Sequence, residues 1–388
     1  MTAIKNGKIV TPNEVIENSI LLIENDRIQG ISDNTGNAET IIDAGGSYVL
    51  PGLIDVHSDR LEQFIQPRPS SQMDFSFALK MCEREMISAG ITTIFHSIAL
   101  YNDDYFNVSP LRTKENTEKI ADLIEESRSC ARLIRNRVHL RIEIDNLEAF
   151  DIAKNVISQS KVHLISFMDH TPGQGQYSDL NVYYKNVLEM GAFKMENMTA
   201  QSLAEHHENK SMLSLEQLKE LASFAREKKI ATASHDDTVE NFDVNREIGV
   251  SISEFPITME AAKKAKEYGF STVVGAPNIL RGNSHCGNLS GAHAILEDAA
   301  DIICSDYYPA AMLSSIFRMH TKQGVPLEQM VNRATLNPAK ALGIQDDYGS
   351  IEQGKKADII FVNTRENAPE ITDVFVNGNR ALSMQYWS

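Results

Sequence analysis

The chain has 388 residues, 42% of them hydrophobic, and a formal net charge of −16, which suits one large domain, or a large one with a small companion, around a substantial core. The acidic balance excludes nonspecific nucleic-acid binding, which draws on a basic face. It leaves an anionic small-molecule substrate open, since a cleft can be locally positive on an acidic protein. No apolar run approaches the roughly 18 residues of a membrane span, and the opening "MTAIKNGKIV" lacks the apolar core of a signal peptide. Cys82, Cys130, Cys286 and Cys304 are widely spaced with no CxxC, so neither a disulfide framework nor a zinc ribbon is indicated. The expectation is a cytoplasmic protein with no nucleic-acid or membrane partner; a homo-oligomer is left open.

In chain order, residues 1–50 read as short β-strands punctuated by Asn, Asp and Gly, as in "KIVTPNEVIENSILLIENDRIQGIS". Residues 346–388 read similarly, with "NGN" as a hairpin-like turn. Both ends are β-rich and the middle is not, so the termini are expected to meet in one small β-sandwich, with residues 51–345 inserted between them. In that middle, eight apolar runs alternate with helical stretches: "LIDVHSD", "ITTIFHSIA", "VHLRIEID", "VHLISFMDH", "IATASHDD", "VSISEFP", "STVVGAP" and "DIICSDY". Eight such units predict a (β/α)8 barrel of the α/β class. A doubly wound sheet is the runner-up, but no GxGxxG follows the first strand. The connection from His170 to Ile230 is too long for a plain βα unit and is expected to cross the barrel mouth.

Six of the eight runs carry His, Asp or Glu near their C-terminal ends: His57/Asp59, Glu143/Asp145, Asp169/His170, His235/Asp236, Glu254 and Asp306. In a (β/α)8 barrel those ends converge on the catalytic face. Neutral imidazoles with carboxylates suit zinc, manganese or iron better than calcium or magnesium. Two divalent ions roughly 3.5–4 Å apart depress the pKa of water enough to give a nucleophile at neutral pH. An aspartate at the last strand can ligate one ion and accept a proton. His96, His139, His163 and His320 read as hydrogen-bonded structural residues, and His206 and His207 as solvated. Asp145, Asp236 and Asp237 read as orienters of histidines or helix caps.

These motifs resemble the amidohydrolase superfamily: "VLPGLIDVHSD" is similar to its first-strand signature, and "NPAKALGIQDDYGSIEQGKKADIIFV" to its return from barrel into sandwich. More narrowly, "GLIDVHSDRLEQFIQPRP", "SFMDHTPGQGQY", "ASHDD", "GAPNILRGNSHCGN" and "SDYYPA" resemble its phosphonate-pathway diphosphatases. Those enzymes remove pyrophosphate from a ribose 1-methylphosphonate 5-triphosphate in the carbon–phosphorus lyase route. The resemblance implies one or two divalent ions, zinc foremost with manganese or iron as alternatives. It places them at His57, Asp59, Glu143, His170, His235 and Asp306, with Asp306 as the catalytic acid/base. The usual His-x-His is His-x-Asp here and no lysine ends the fourth strand, which leaves the bridging mode open; the resemblance to sugar-phosphate deacetylases, which carry a glutamate ligand at the third strand, makes Glu143 the expected bridge.

A departing pyrophosphate needs cations. Arg68 between two prolines and Arg281 in "ILRGNSHCGN" follow strands one and seven, hence the mouth. Ser284, His285 and Asn288 offer donors beside Arg281, and Lys185 and Lys194 could close over the substrate from the long connection. Two rival readings are an amidohydrolase acting on a C–N bond, as deacetylases and cyclic amidases do, and an inactive scaffold barrel.

Overall fold

The computed structural model describes residues 1–68, 70–100, 111–130, 132–169, 211–282, 289–365 and 368–386. The N-terminal region forms seven short strands: β1 (Thr2–Lys5), β2 (Lys8–Val10), β3 (Val15–Ile16), β4 (Ile20–Glu24), β5 (Arg27–Ser32), β6 (Thr40–Asp43) and β7 (Tyr48–Pro51). They are short because Asn6, Asn18, Asn25 and Gly45, all at positive φ, turn the chain every few residues.

Eight parallel strands follow: β8 (Leu53–Ser58), β9 (Ile91–Leu100), β10 (Arg135–Glu143), β11 (Leu164–Met168), β12 (Ala231–His235), β13 (Ile252–Glu254), β14 (Ser271–Gly275) and β15 (Ile302–Cys304). Each pairs with its sequence neighbour, and a parallel bridge between Ser58 and Asp306 joins the last to the first. This is the expected eight-stranded barrel. Its interior is packed with Ile54, Val56, Phe95, Leu164, Ile252 and Ile302, so it is a core and not a pore. Helices cover the outside. The helix Phe75–Ser88 buries Phe75, Leu79, Cys82 and Met86 at helical spacing, and Asp74 caps its start by accepting the Phe77 N–H at 2.8 Å.

The chain ends in β16 (Ile359–Arg365), β17 (Ala368–Val376) and β18 (Asn379–Ser383). Two sheets, ordered β5-β4-β1-β6 and β18-β17-β16-β7-β2-β3, close on a core of Ile4, Ile9, Leu21, Val49, Phe361 and Phe375. The sandwich is therefore built from both termini.

Arg135, at the start of β10, ties sandwich to barrel. Its guanidinium donates to Asp358 at 3.1 Å and to Asn377, and lies 4.5 Å from the centre of the Tyr348 ring. Asp358 is buried, so removing it strips a half-buried charge of its partner. Asp358→Ala is expected to cost about 3 kcal/mol in urea denaturation, while Arg135→Met with Asp358→Leu recovers most of that loss.

Candidate metal centre

The seam between β8 and β15 assembles the centre. Asp55 is fully buried, and its carboxylate accepts the N–H of Ser305 at 2.9 Å and, more weakly, that of His57 at 3.4 Å. Asp306 donates its N–H to the His57 carbonyl at 2.9 Å and accepts the Asp59 N–H at 2.9 Å. The first and last strands are thus locked in one register, with His57, Asp59 and Asp306 side by side. Asp236, Phe255 and Asp306, each just beyond a strand end, adopt positive φ of 56°, 54° and 57°. Left-handed backbone at a non-glycine residue costs about 1–2 kcal/mol, and here it is met at three strand ends around the centre.

Two histidines of the centre stand beside carboxylates. His57 Nδ1 lies 3.1 Å from Glu254 Oε1, which is itself fully buried at the end of β13. An imidazole donating from Nδ1 to a carboxylate keeps its Nε2 lone pair free, and His57 Nε2 lies 4.0 Å from Asp59 Oδ1. His235 has an acidic neighbour of its own, with its Nδ1 3.0 Å from Asp236 Oδ2. Phe255 stands edge-on to both rings, 5.0 Å from His57 and 5.1 Å from His235, and helps to exclude water. Burial pushes His57 down to about 3 and also lowers His235, so both imidazoles are neutral near pH 7.

Arg141 supplies the positive charge of the cluster. From β10 its guanidinium donates to Asp59 Oδ1 at 3.2 Å and sits 3.2 Å from His235 Nε2. Burial alone would raise Asp59, but Arg141 and the neighbouring imidazoles and Arg112 outweigh it and hold that carboxyl below its usual range. Asp306 goes the other way: burial first, then the Asp59 charge, push it up to about 7. Two carboxyl groups of one cluster are therefore driven apart, one firmly ionised and one poised to exchange a proton near neutrality.

Two groups among the described residues could hold a metal ion: His57, Asp59 and Asp306, and His57, His235 and Glu254, with ligand atoms in each within 4.8 Å of one another. The donors fit a borderline transition metal. The imidazoles are neutral, Asp59 is ionised, and Glu254 Oε2 is buried without a hydrogen-bond partner. An ion bonded to Asp59 and His235 would draw on the lone pairs that Arg141 now engages.

Of the residues expected at the site, His57, Asp59, His235 and Asp306 meet at the C-terminal barrel end. Glu143 is buried at the end of β10, two residues beyond Arg141, and belongs to neither group. Arg68 is exposed after the helix Arg60–Ile65, and Arg281 is exposed in the last turn of the helix Ala276–Arg281, directly after β14. His170, Lys185, Lys194, Ser284, His285 and Asn288 lie outside the described residues. His139 is hydrogen-bonded to the Val56 carbonyl at 3.1 Å and to Ser166 Oγ at 3.0 Å, and His96 to Asn136 at 2.9 Å. Asp237 accepts from Ser234 at 2.5 Å and Asn245 at 2.7 Å, and also accepts from Ser253, so it braces the ends of β12 and β13. Arg141 was not singled out from sequence, and Glu254 was named there as a strand-end acid with no role assigned to it.

The chain belongs to the amidohydrolase family, whose model matches residues 48–381. Within that family it is 33% identical over 386 residues to the alpha-D-ribose 1-methylphosphonate 5-triphosphate diphosphatase of Escherichia coli (strain K12), an alignment covering 98% of this chain and 100% of that one. It is 24% identical to the 5'-deoxyadenosine deaminase of Methanosarcina acetivorans, over 96% of this chain and 86% of the other. Among solved structures, N-acetylglucosamine-6-phosphate deacetylase from Pasteurella multocida shares the fold with a TM-score of 0.63 at 13% identity, covering 98% of this chain and 99% of that one. No helix among the described residues is long and apolar enough to cross a membrane.

If Glu254 orients His57 toward an ion, Glu254→Gln is expected to weaken zinc binding about 10–100-fold in a chelator competition assay. His235→Ala is expected to lower the metal content per chain, measured by plasma mass spectrometry.

Proposed function

We propose that the chain is a metal-dependent phosphoanhydride hydrolase. It cleaves between the α and β phosphates of α-D-ribose 1-methylphosphonate 5-triphosphate and releases pyrophosphate. The observation that carries this reading is the full-length likeness to the Escherichia coli diphosphatase. The neutral histidines and divided carboxyl groups at the barrel mouth support it.

In this reading His57, Asp59, His235 and Asp306 hold the metal, zinc foremost, with Glu143 and His170 completing the set. When bound, the metal acidifies water into the neutral range and offsets charge on the phosphoryl oxygens. Asp306 accepts the proton of the attacking water and returns it to the leaving group. Glu254 fixes the ring orientation of His57, so little reorganisation of that ligand accompanies the reaction. Arg141 keeps Asp59 ionised beside the partly protonated Asp306. Arg68 and Arg281 take the β and γ phosphates, joined by Lys185, Lys194, Ser284, His285 and Asn288. A C–N hydrolase would use the same centre but has no need of the arginines.

The test is incubation of metal-replete protein with the triphosphate, followed by phosphorus NMR. Pyrophosphate and a 5-phosphate are expected; their absence returns the C–N reading. Asp306→Asn is expected to slow turnover about a thousandfold with metal content largely retained, and full activity would remove Asp306 from its role. Arg281→Ala is expected to raise KM about tenfold by removing a charge-assisted contact; an unchanged KM moves the phosphate site elsewhere.

A further inference from the structure

The barrel end opposite the metal centre holds a cavity of about 220 Å³ lined by Arg128, Arg137, His163, Lys228 and Lys229. These residues come from one level of the fold. Arg137 is the third residue of β10, His163 immediately precedes β11, Lys228 and Lys229 precede β12, and Arg128 caps the C-terminal end of the helix Lys114–Ser127. Phe95 and Leu342 contribute an apolar wall.

The hydrogen bonding of this group is incomplete in a particular way. The backbone N–H of Val138 donates to His163 Nδ1 at 3.1 Å. A neutral imidazole that accepts at Nδ1 carries its proton on Nε2. Burial first, then Arg137 and Arg128, push His163 down to about 3, so the ring is neutral. Its Nε2–H therefore faces Arg128 Nη1, 3.3 Å away. Two donors confront each other there, and an acceptor placed between them would satisfy both.

Arg137 is half-buried and makes no hydrogen bond or ion pair among the described residues. Lys228 and Lys229 likewise form no ion pair among them. Among the described residues, the one carboxylate bonded to this group is Glu125, at 2.7 Å from Arg128. Leaving a half-buried guanidinium without an acceptor is costly. The chain carries 53 acidic residues against 37 basic ones, so composition does not explain the shortage of carboxylates here.

We propose that this cavity is a binding site for a small phosphate-bearing anion, separate from the metal centre. The anion's oxygens bridge His163 Nε2–H and Arg128 and accept from Arg137, while Lys228 and Lys229 screen the remaining charge from the exposed side. The volume suits a pyrophosphate or sugar-phosphate group and is below the roughly 300 Å³ at which drug-sized pockets begin.

The experiment is a titration of the metal-replete protein, labelled with ¹⁵N-histidine, with inorganic pyrophosphate at constant ionic strength. The His163 resonance is assigned by its absence from His163→Asn. A saturable shift of that resonance is expected, and Arg137→Gln is expected to weaken it at least about tenfold with turnover at the metal centre unchanged. Lys229→Gln, a change at an exposed position, is expected to weaken it about threefold and serves if Arg137→Gln does not fold. A His163 resonance that stays fixed at 10 mM pyrophosphate, or that follows sodium chloride equally, overturns the proposal. So does equal affinity in wild type and both variants.

Discussion

The bonding between the first and last barrel strands is the constraint on which the rest depends. A (β/α)8 barrel gains its mouth only when β15 meets β8, and here that junction is made by Asp55, Ser58, Ser305 and the backbone of Asp306. The same few residues that close the cylinder also carry the donor groups. His57 and Asp59 come from one side of the junction and Asp306 from the other, so any slip in register would separate them. A buried aspartate is an expensive fastener. Burial pushes Asp55 up to about 7 even though Ser305 and His57 donate to it. The barrel tolerates this at a place where apolar packing alone could not specify which atoms face one another.

Electrostatics then divides the labour among similar groups. Asp59, Glu254 and Asp306 stand within a short span at the mouth, and their environments differ. Asp59 faces Arg141, Glu254 is paired with His57, and Asp306 is crowded by the negative charge of Asp59. Arg141 is the foremost of the cations that let Asp59 stay ionised in a dry setting. The left-handed backbone at Asp236, Phe255 and Asp306 shows the cost of presenting these side chains from strand ends that would otherwise run straight.

Much of this was legible in the sequence, for identifiable reasons. The eight barrel runs are short, apolar and bounded by polar residues, and each lies where a run was read. Buried parallel strands require that pattern. The split sandwich followed from β-rich termini around a different middle. His57, Asp59, His235 and Asp306 stood out because donors at strand ends converge in a barrel. Arg141 did not stand out, since an arginine inside a strand reads as ordinary alternation until its partners are known. Those partners, Asp59 and His235, belong to other strands and meet it only after closure. Glu254 was visible as a strand-end acid, but its pairing with His57 is a fact of three dimensions. The basic cavity at the far end was invisible for the same reason: Arg128, Arg137 and the Lys228–Lys229 pair are far apart in sequence and look like solvated surface one at a time.

The mixed origin of the six-stranded sheet bears on how the chain comes to be folded at all. β7 lies between β2, from the start of the chain, and β16, from its end. The sheet β5-β4-β1-β6 draws every strand from the first 43 residues and can assemble soon after synthesis begins, but its apolar face has no complete cover until β16 and β17 arrive. During translation, Ile4, Leu21 and Val49 therefore wait through the production of the entire barrel. Such a delay exposes strand edges to other chains and makes the last forty or so residues the step that seals the molecule. A ribosome stalled or a message truncated shortly before β16 would release a barrel carrying an open, adhesive half-sandwich.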